Sequence, residues 1–345
     1  MKVGIIGASG YSGVELFRIL NNHPNIEKCM LYSSSEVDNS YSRTFPHLNC
    51  ISDHSLKKIE INDLSESLDV LFLATPPGVS ASLTPALFPS RLKIIDLSGD
   101  LRLKKNSDYE QWYKRQTADE EILQSAVYGL PELNYKQIEH AKLIANPGCF
   151  PTASILGLAP ITKESLIDEQ SIIVDAKSGV SGAGRKASAV TSYAEINENL
   201  KIYKVNEHQH IPEIEQALHS LNDQINTITF STHLIPMTRG IMATIYVKLV
   251  HEISTERLLD CYRTFYEHSP FVRIRNMNEF PSTKEVYGSN YCDIGLKVDE
   301  RTGRVTIVSV IDNLMKGAAG QAVQNFNIMH GLNETTSLHT APIFP

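Results

Sequence analysis

Residues 2–13 constrain the fold more than any other stretch. Lys2-Val3-Gly4-Ile5-Ile6 reads as a buried strand and runs straight into Gly7-Ala8-Ser9-Gly10-Tyr11-Ser12-Gly13. Val14, Phe17 and Leu20 then recur at helical spacing. Strand, glycine turn, helix is the context a dinucleotide site requires: glycines let a pyrophosphate approach the backbone, and the helix start offers N–H donors. The spacing is GxxGxxG, and a structural turn is the competing reading. Gly7, Ser9, Gly10, Tyr11, Ser12 and Gly13 are therefore candidate cofactor contacts.

More strands of one kind follow. Lys28–Tyr32 ends in Ser33-Ser34-Ser35, Leu68–Ala74 stops at Thr75-Pro76-Pro77-Gly78, and Leu92–Leu97 ends in Ser98-Gly99-Asp100-Leu101-Arg102. Lys142–Ala145 leads into Asn146-Pro147-Gly148-Cys149. Apolar strands separated by helical stretches, each closed by a turn, describe an open parallel sheet that binds ligands at its carboxyl ends. Ser33, Ser34, Ser35, Thr75, Pro76 and Ser98 fall on that edge. Hydroxyls rather than an acid at the end of the second strand suit a ribose 2′-phosphate, which points to NADP(H) over NAD. Arg102 on the same edge is a candidate partner for an anionic substrate, or a surface ion pair.

Cys149 stands just outside an apolar helix whose first turn carries Pro151. A helix N-terminus favours a thiolate and can hold a developing oxyanion, so Cys149 is a candidate nucleophile; the competing reading is a small buried residue.

The second half changes character. Ser171–Lys177 reads as a strand leading into Ser178-Gly179-Val180-Ser181-Gly182-Ala183-Gly184-Arg185-Lys186, which pairs glycines with two cations as an anion loop would. Glu207-His208-Gln209-His210-Ile211-Pro212-Glu213 precedes a helix opened by Pro212, and the two histidines read as an extended segment pointing to one side. Two readings compete: a zinc site with Glu213 as third ligand, or a thiol base, His208, with His210 as a substrate or orienting group. Strands near 227–230 and 243–249, a hairpin around 300–303 and a helix near 255–267 describe a mixed sheet with covering helices. The fold class expected is α/β: a Rossmann-type parallel-sheet domain plus an α+β domain. Small residues from Gly317 open a last helix and would allow close approach to a cofactor or to the first domain.

Composition removes several functional classes. A chain of 345 residues exceeds one core, and 42% hydrophobic with 21% charged residues is ordinary for a soluble protein. A net charge of -7 and pI near 6.0 argue against nucleic acid or anionic membrane as partner. Neither a secretion signal nor a membrane-spanning run is evident, and the five scattered cysteines suit a reducing cytoplasm.

With these residues in view, the chain resembles the N-acetyl-gamma-glutamyl-phosphate reductase family. The motifs are GASGYSG at 7–13, DLSGDLR at 96–102, NPGCFPT at 146–152, GVSGAGRK at 179–186, HQHIPEI at 208–214, HLIPMTRGI at 233–241 and DNLMKGAAGQA at 312–322. The resemblance implies an NADP(H)-binding domain over 1–148 and 313–345, with the last helix returning to it, and a catalytic and dimerisation domain over 149–312. It implies Cys149 as nucleophile and His208 as its acid/base partner. Arg102, Asn146, Arg185, Lys186, His210 and Glu213 are the substrate candidates. Ser178, Gly179, Ser181, Gly182, Asn313 and Lys316 join the cofactor candidates, and no metal is expected. Partners would be an acyl phosphate and inorganic phosphate, in a homodimer or homotetramer. Two departures stand out: Gly99 where Ala is usual, and Gln209 where a basic residue is common. The competing functions are an aspartyl or carrier-linked acyl-phosphate reductase and a non-catalytic NADP sensor.

Overall fold

A computed structural model describes residues 1–34 and 36–344. The chain divides into two compact units, one of Met1–Pro147 with Ala318–His339, the other of Gly148–Gly317 with the residues from Thr340 on.

The first unit is built on seven parallel strands: β1 (Lys2–Ile6), β2 (Lys28–Tyr32), β3 (Leu56–Lys57), β4 (Val70–Leu73), β5 (Lys93–Asp96), β6 (Val127–Tyr128) and β7 (Leu143–Ala145). Their order across the sheet is β3-β2-β1-β4-β5-β7-β6. Strands covered on both faces read as continuous apolar runs, which is why the central ones were legible. Order reverses beside β1, the crevice where doubly wound sheets take ligands. At the β1 turn, Gly7 has φ 85°. A Cβ on Gly7 would overlap the Ala74 carbonyl, and one on Gly13 would overlap the Gly7 carbonyl. The glycines thus bring the helix Tyr11–Leu20 tightly against the sheet. Gly99 has a similar cause, since a Cβ there would overlap the Tyr113 phenol.

The C-terminal helix Gly320–Met329 is buried along its whole length in this unit. Amides satisfy the backbone around it. Gln321 Nε2 and Asn325 Nδ2 both donate to the Gly129 carbonyl, at 2.9 and 2.8 Å. Before it, Met315–Ala319 forms a π-turn, so the helix begins later than the small residues from Gly317 suggested.

The second unit holds a mixed sheet of β8 (Ile173–Ser178), β9 (Lys201–Tyr203), β10 (Thr229–Leu234), β11 (Ile241–Lys248), β12 (Val272–Ile274), β13 (Cys292–Asp299) and β14 (Arg304–Ile311). The order is β12-β13-β14-β11-β8-β10-β9, with β8/β10 and β12/β13 parallel and the remaining pairs antiparallel. The Cys149 helix, Cys149–Lys163, packs on it with every residue from Phe150 to Thr162 buried. A Cβ at Gly157 would meet Ile245 Cδ1 at 2.7 Å, so glycine sets how closely that helix approaches β11. Pro160 inside the helix has no N–H to offer the Leu156 carbonyl. Tyr266, beyond the helix Thr255–Phe265, donates its hydroxyl to that carbonyl at 2.6 Å and closes the gap.

The boundaries differ from the expected ones. Asn313 to Gly317 belong to the second unit, because Asn313 Oδ1 accepts from Gly240 N–H at 2.8 Å and its Nδ2 donates to Ser181 Oγ at 2.9 Å. The end of the chain also joins that unit, where Ile343 N–H donates to the Tyr287 carbonyl at 2.8 Å.

Candidate active site

Gly148 is the N-cap and Cys149 the first residue of its helix, one step further in than the sequence suggested. Thr152 secures the turn, donating from Oγ1 and N–H to the Gly148 carbonyl at 2.8 and 2.9 Å. The Gly148 N–H donates to Glu213 Oε1 at 2.8 Å. Glu213 is 1% exposed and lies in the first turn of the helix Ile211–His219. One carboxylate thus ties the start of the nucleophile helix to the histidine segment. Gly317 was not anticipated here: a Cβ on it would meet Cys149 Cβ at 2.8 Å. The small residue at 317 was the signal; its close approach is to Cys149.

The histidines sit in a turn, not an extended segment, because Ile211 N–H closes on the His208 carbonyl at 2.9 Å. Their ring centroids are 4.7 Å apart. The His210 N–H donates to His208 Nδ1 at 3.1 Å. That bond uses the Nδ1 lone pair, so the neutral ring carries its proton on Nε2. His208 is 4% exposed, with the Phe150, Tyr203 and Phe230 rings edge-on to it. Burial, helped by the Lys204 charge, pushes its pKa from 6.5 down to about 3. The neutral ring is therefore a hydrogen-bond donor through Nε2. Among the described residues no group of three His, Cys, Asp or Glu could hold a metal ion.

Cys149, His208 and His210 line one cavity of about 460 Å³ within the second unit. Ser178 and Gly182 contribute to its wall, as do Lys201, Tyr203 and Lys204, which sequence reasoning missed. Of the other loop residues, Gly179 N–H donates to the Gly240 carbonyl at 2.9 Å, and Ser181 Oγ accepts from Asn313. The first bond, with Val180 N–H on the Met237 carbonyl and Ser181 N–H on the Thr238 carbonyl, fastens the loop to the 237–240 turn. Arg185 and Lys186 are exposed and do not line the cavity. Lys316 is fully buried with its ammonium 5.8 Å from the Phe271 ring centroid.

The first unit presents its own ligand edge. The helix Tyr11–Leu20 starts at Gly10 with no side-chain cap and no acid in its first turn, a start fitted to an anionic pyrophosphate. Ser33 is buried, and its Oγ accepts from Glu36 N–H at 3.3 Å. Ser34 is exposed, and Ser35 lies outside the described residues. Glu36 Oε2 accepts from Thr44 at 2.6 Å. Thr75, followed by Pro76, pairs its hydroxyl with Ser80 at 2.9 Å. Ser98 donates its hydroxyl to Asp96 Oδ2 at 2.9 Å; burial pushes that carboxyl up to about 6. Arg102 is buried, giving Nε to the Asn146 carbonyl at 2.8 Å and a second nitrogen to the Leu97 carbonyl at 2.9 Å. Asn146 is fully buried and donates to the Ala318 carbonyl at 3.2 Å while its Oδ1 accepts from Asn325 at 3.0 Å. Both residues help hold the end of β7 together.

Comparison with known proteins agrees with this division. Residues 2–141 match the semialdehyde dehydrogenase NAD-binding domain, which gives the chain a nicotinamide-cofactor domain, and residues 149–313 match the semialdehyde dehydrogenase dimerisation domain. The solved aspartate semialdehyde dehydrogenase II of Vibrio cholerae, complexed with ASA, shares the fold: TM-score 0.72 at 17% identity, over 96% of this chain and 98% of that one. Two relatives called N-acetyl-gamma-glutamyl-phosphate reductase align over 100% of both chains, one from Geobacillus sp. (strain WCH70) at 62% identity and one from Bacillus subtilis (strain 168) at 60%. With its thiol at a helix start, its histidine turn and its two units, the chain belongs to the N-acetyl-gamma-glutamyl-phosphate reductase family.

Proposed function

We propose that this chain reduces N-acetyl-L-glutamyl 5-phosphate to N-acetyl-L-glutamate 5-semialdehyde with release of inorganic phosphate, a step of arginine biosynthesis, and that NADPH is the reductant. The observation that carries the reading is Cys149 at the start of a buried helix, on the wall of a cavity shared with His208.

The Cys149 thiolate attacks the acyl carbon. A C–S bond forms, the C–O bond to phosphate breaks, and phosphate leaves with the electron pair. Backbone N–H groups at the helix start and Nε2–H of the neutral His208 are the donors available to the carbonyl oxygen as it gains charge. A bound reduced nicotinamide supplies the hydride that a thioester carbonyl accepts. When the C–S bond then breaks, Cys149 leaves as thiolate and the oxyanion becomes the aldehyde carbonyl. No proton is needed at either sulfur step, which suits a histidine held neutral. A neutral imidazole donating a hydrogen bond is an established way to stabilise such an oxygen.

Support for the phosphorylated cofactor comes from β2. Serines follow its end, and the nearby Glu36 carboxylate is turned to Thr44. The five thiols form no disulfide, and no helix among the described residues is long and apolar enough to cross a membrane. We place the protein in the cytoplasm as a homodimer or homotetramer. The test is phosphate-dependent reduction of NADP with N-acetyl-glutamate semialdehyde, run beside NAD and beside aspartate semialdehyde. Preference for NADP and the acetylated semialdehyde is expected; preference for aspartate semialdehyde would overturn the reading.

A further inference from the structure

The Cys149 cavity takes its positive charge from residues the expected anion loop does not supply. Its titratable lining is Cys149, Lys201, Tyr203, Lys204, His208 and His210; among the described residues no carboxylate lines it. Two ammonium groups and no acid make a wall for an anion.

The two lysines differ in position. Lys201 and Tyr203 are alternate residues of β9, so both face the cavity while Ile202 between them is 46% exposed. β9 is held at the sheet edge by β10, where Lys201 pairs with Leu234, another lining residue. Lys201 also lines an adjoining cavity of about 200 Å³ that neither Cys149 nor His208 lines; Val190 is on the wall of both, and Glu195 is the acid of the smaller one. Lys204 follows the strand at φ 46°, and Asn206 at φ 56°. Left-handed backbone at these two positions turns the chain sharply after β9. Here the turn carries Lys204 Nζ back to Gln209 Oε1 at 2.6 Å, beside His208.

We infer that Lys204 binds the phosphate group of the substrate and Lys201 the carboxylate at its other end, an assignment that rests on the acyl-phosphate reading above. The acyl carbon must lie at Cys149, so its phosphate falls by the cation nearest His208. The carboxylate, several bonds away, falls by the cation shared with the adjoining cavity.

Two measurements test this, each on Lys204→Met and Lys201→Met of the full chain, with Lys→Arg variants as rescue. In the oxidative direction, Lys204→Met should raise KM for inorganic phosphate about 10–100-fold with the semialdehyde KM little changed, and Lys201→Met should do the reverse. Independently of turnover, inorganic phosphate alone should slow iodoacetamide alkylation of Cys149 in the parent and in Lys201→Met, but not in Lys204→Met. Failure of the parent to turn over acetylglutamate semialdehyde, with this protection pattern intact, would sink the substrate reading and leave Lys204 as the phosphate ligand. Equal protection in both variants, unchanged KM values or a swapped pattern would overturn the assignment.

Discussion

Replacing His208 with Gln should change how stability depends on pH. The parent ring titrates near 3 when folded and near 6.5 when unfolded. Between those values the unfolded chain binds a proton that the folded chain does not, so stability rises with pH. The contribution is complete above 6.5, declines as pH falls, and is gone once pH passes the folded value. From pH 8 to pH 5 the expected loss is about 2 kcal/mol, from ~1.4 kcal/mol for each pH unit below the unfolded pKa. Urea unfolding of parent and His208→Gln at pH 8, 7, 6 and 5 measures it as the pH-dependent part of their difference. Nitrogen chemical shifts of the labelled ring supply a second readout: Nε2 protonated, Nδ1 an acceptor, no change down to pH 5. A stability difference flat across that range, or a ring titrating near 6.5, would refute the argument from burial.

Substitutions at three further positions probe the scaffold around the thiol. Glu213→Ala leaves the buried Gly148 N–H without its acceptor and should cost about 1–3 kcal/mol. Glu213→Gln keeps an acceptor oxygen and should cost less, with urea midpoints as the readout. Gly317→Ala presses a methyl group on Cys149 Cβ; steady-state kinetics should show kcat down roughly 10–100-fold with KM for semialdehyde little moved. Tyr266→Phe removes the donor to the Leu156 carbonyl above Pro160 and should destabilise by about 1–3 kcal/mol in thermal unfolding, with kcat retained.

The first unit was legible because local chemistry fixed it. Glycines at 7 and 13 are required by backbone approach, and parallel strands write themselves as apolar runs. Cys149 was legible for the same reason, since Pro151 and the small apolar residues after it announce a helix start. The state of His208 was not, because its tautomer depends on a backbone N–H two residues on and its burial on Phe150 and Phe230 from distant segments. Lys201 and Lys204 were missed because β9 is an edge strand of three residues, too short for its alternation to be read, and Lys204 follows it in a turn. The strand's pairing with β10 alone turns Lys201 and Tyr203 to the cavity. The bonds of Arg102 were out of reach for a similar reason: a cation after a strand end does not say that the Asn146 and Leu97 carbonyls will fold onto it.

The central claim is a thioester on Cys149, and a single turnover tests it most directly. Enzyme mixed with NADP and N-acetyl-glutamate semialdehyde, with phosphate left out, should give a burst of NADPH equal to the Cys149 sites and then stall. Peptide mapping should find the acetylglutamyl group on Cys149, and added phosphate should release it. A burst of the same size in Cys149→Ser, or an acyl group mapped to another residue, would contradict the account.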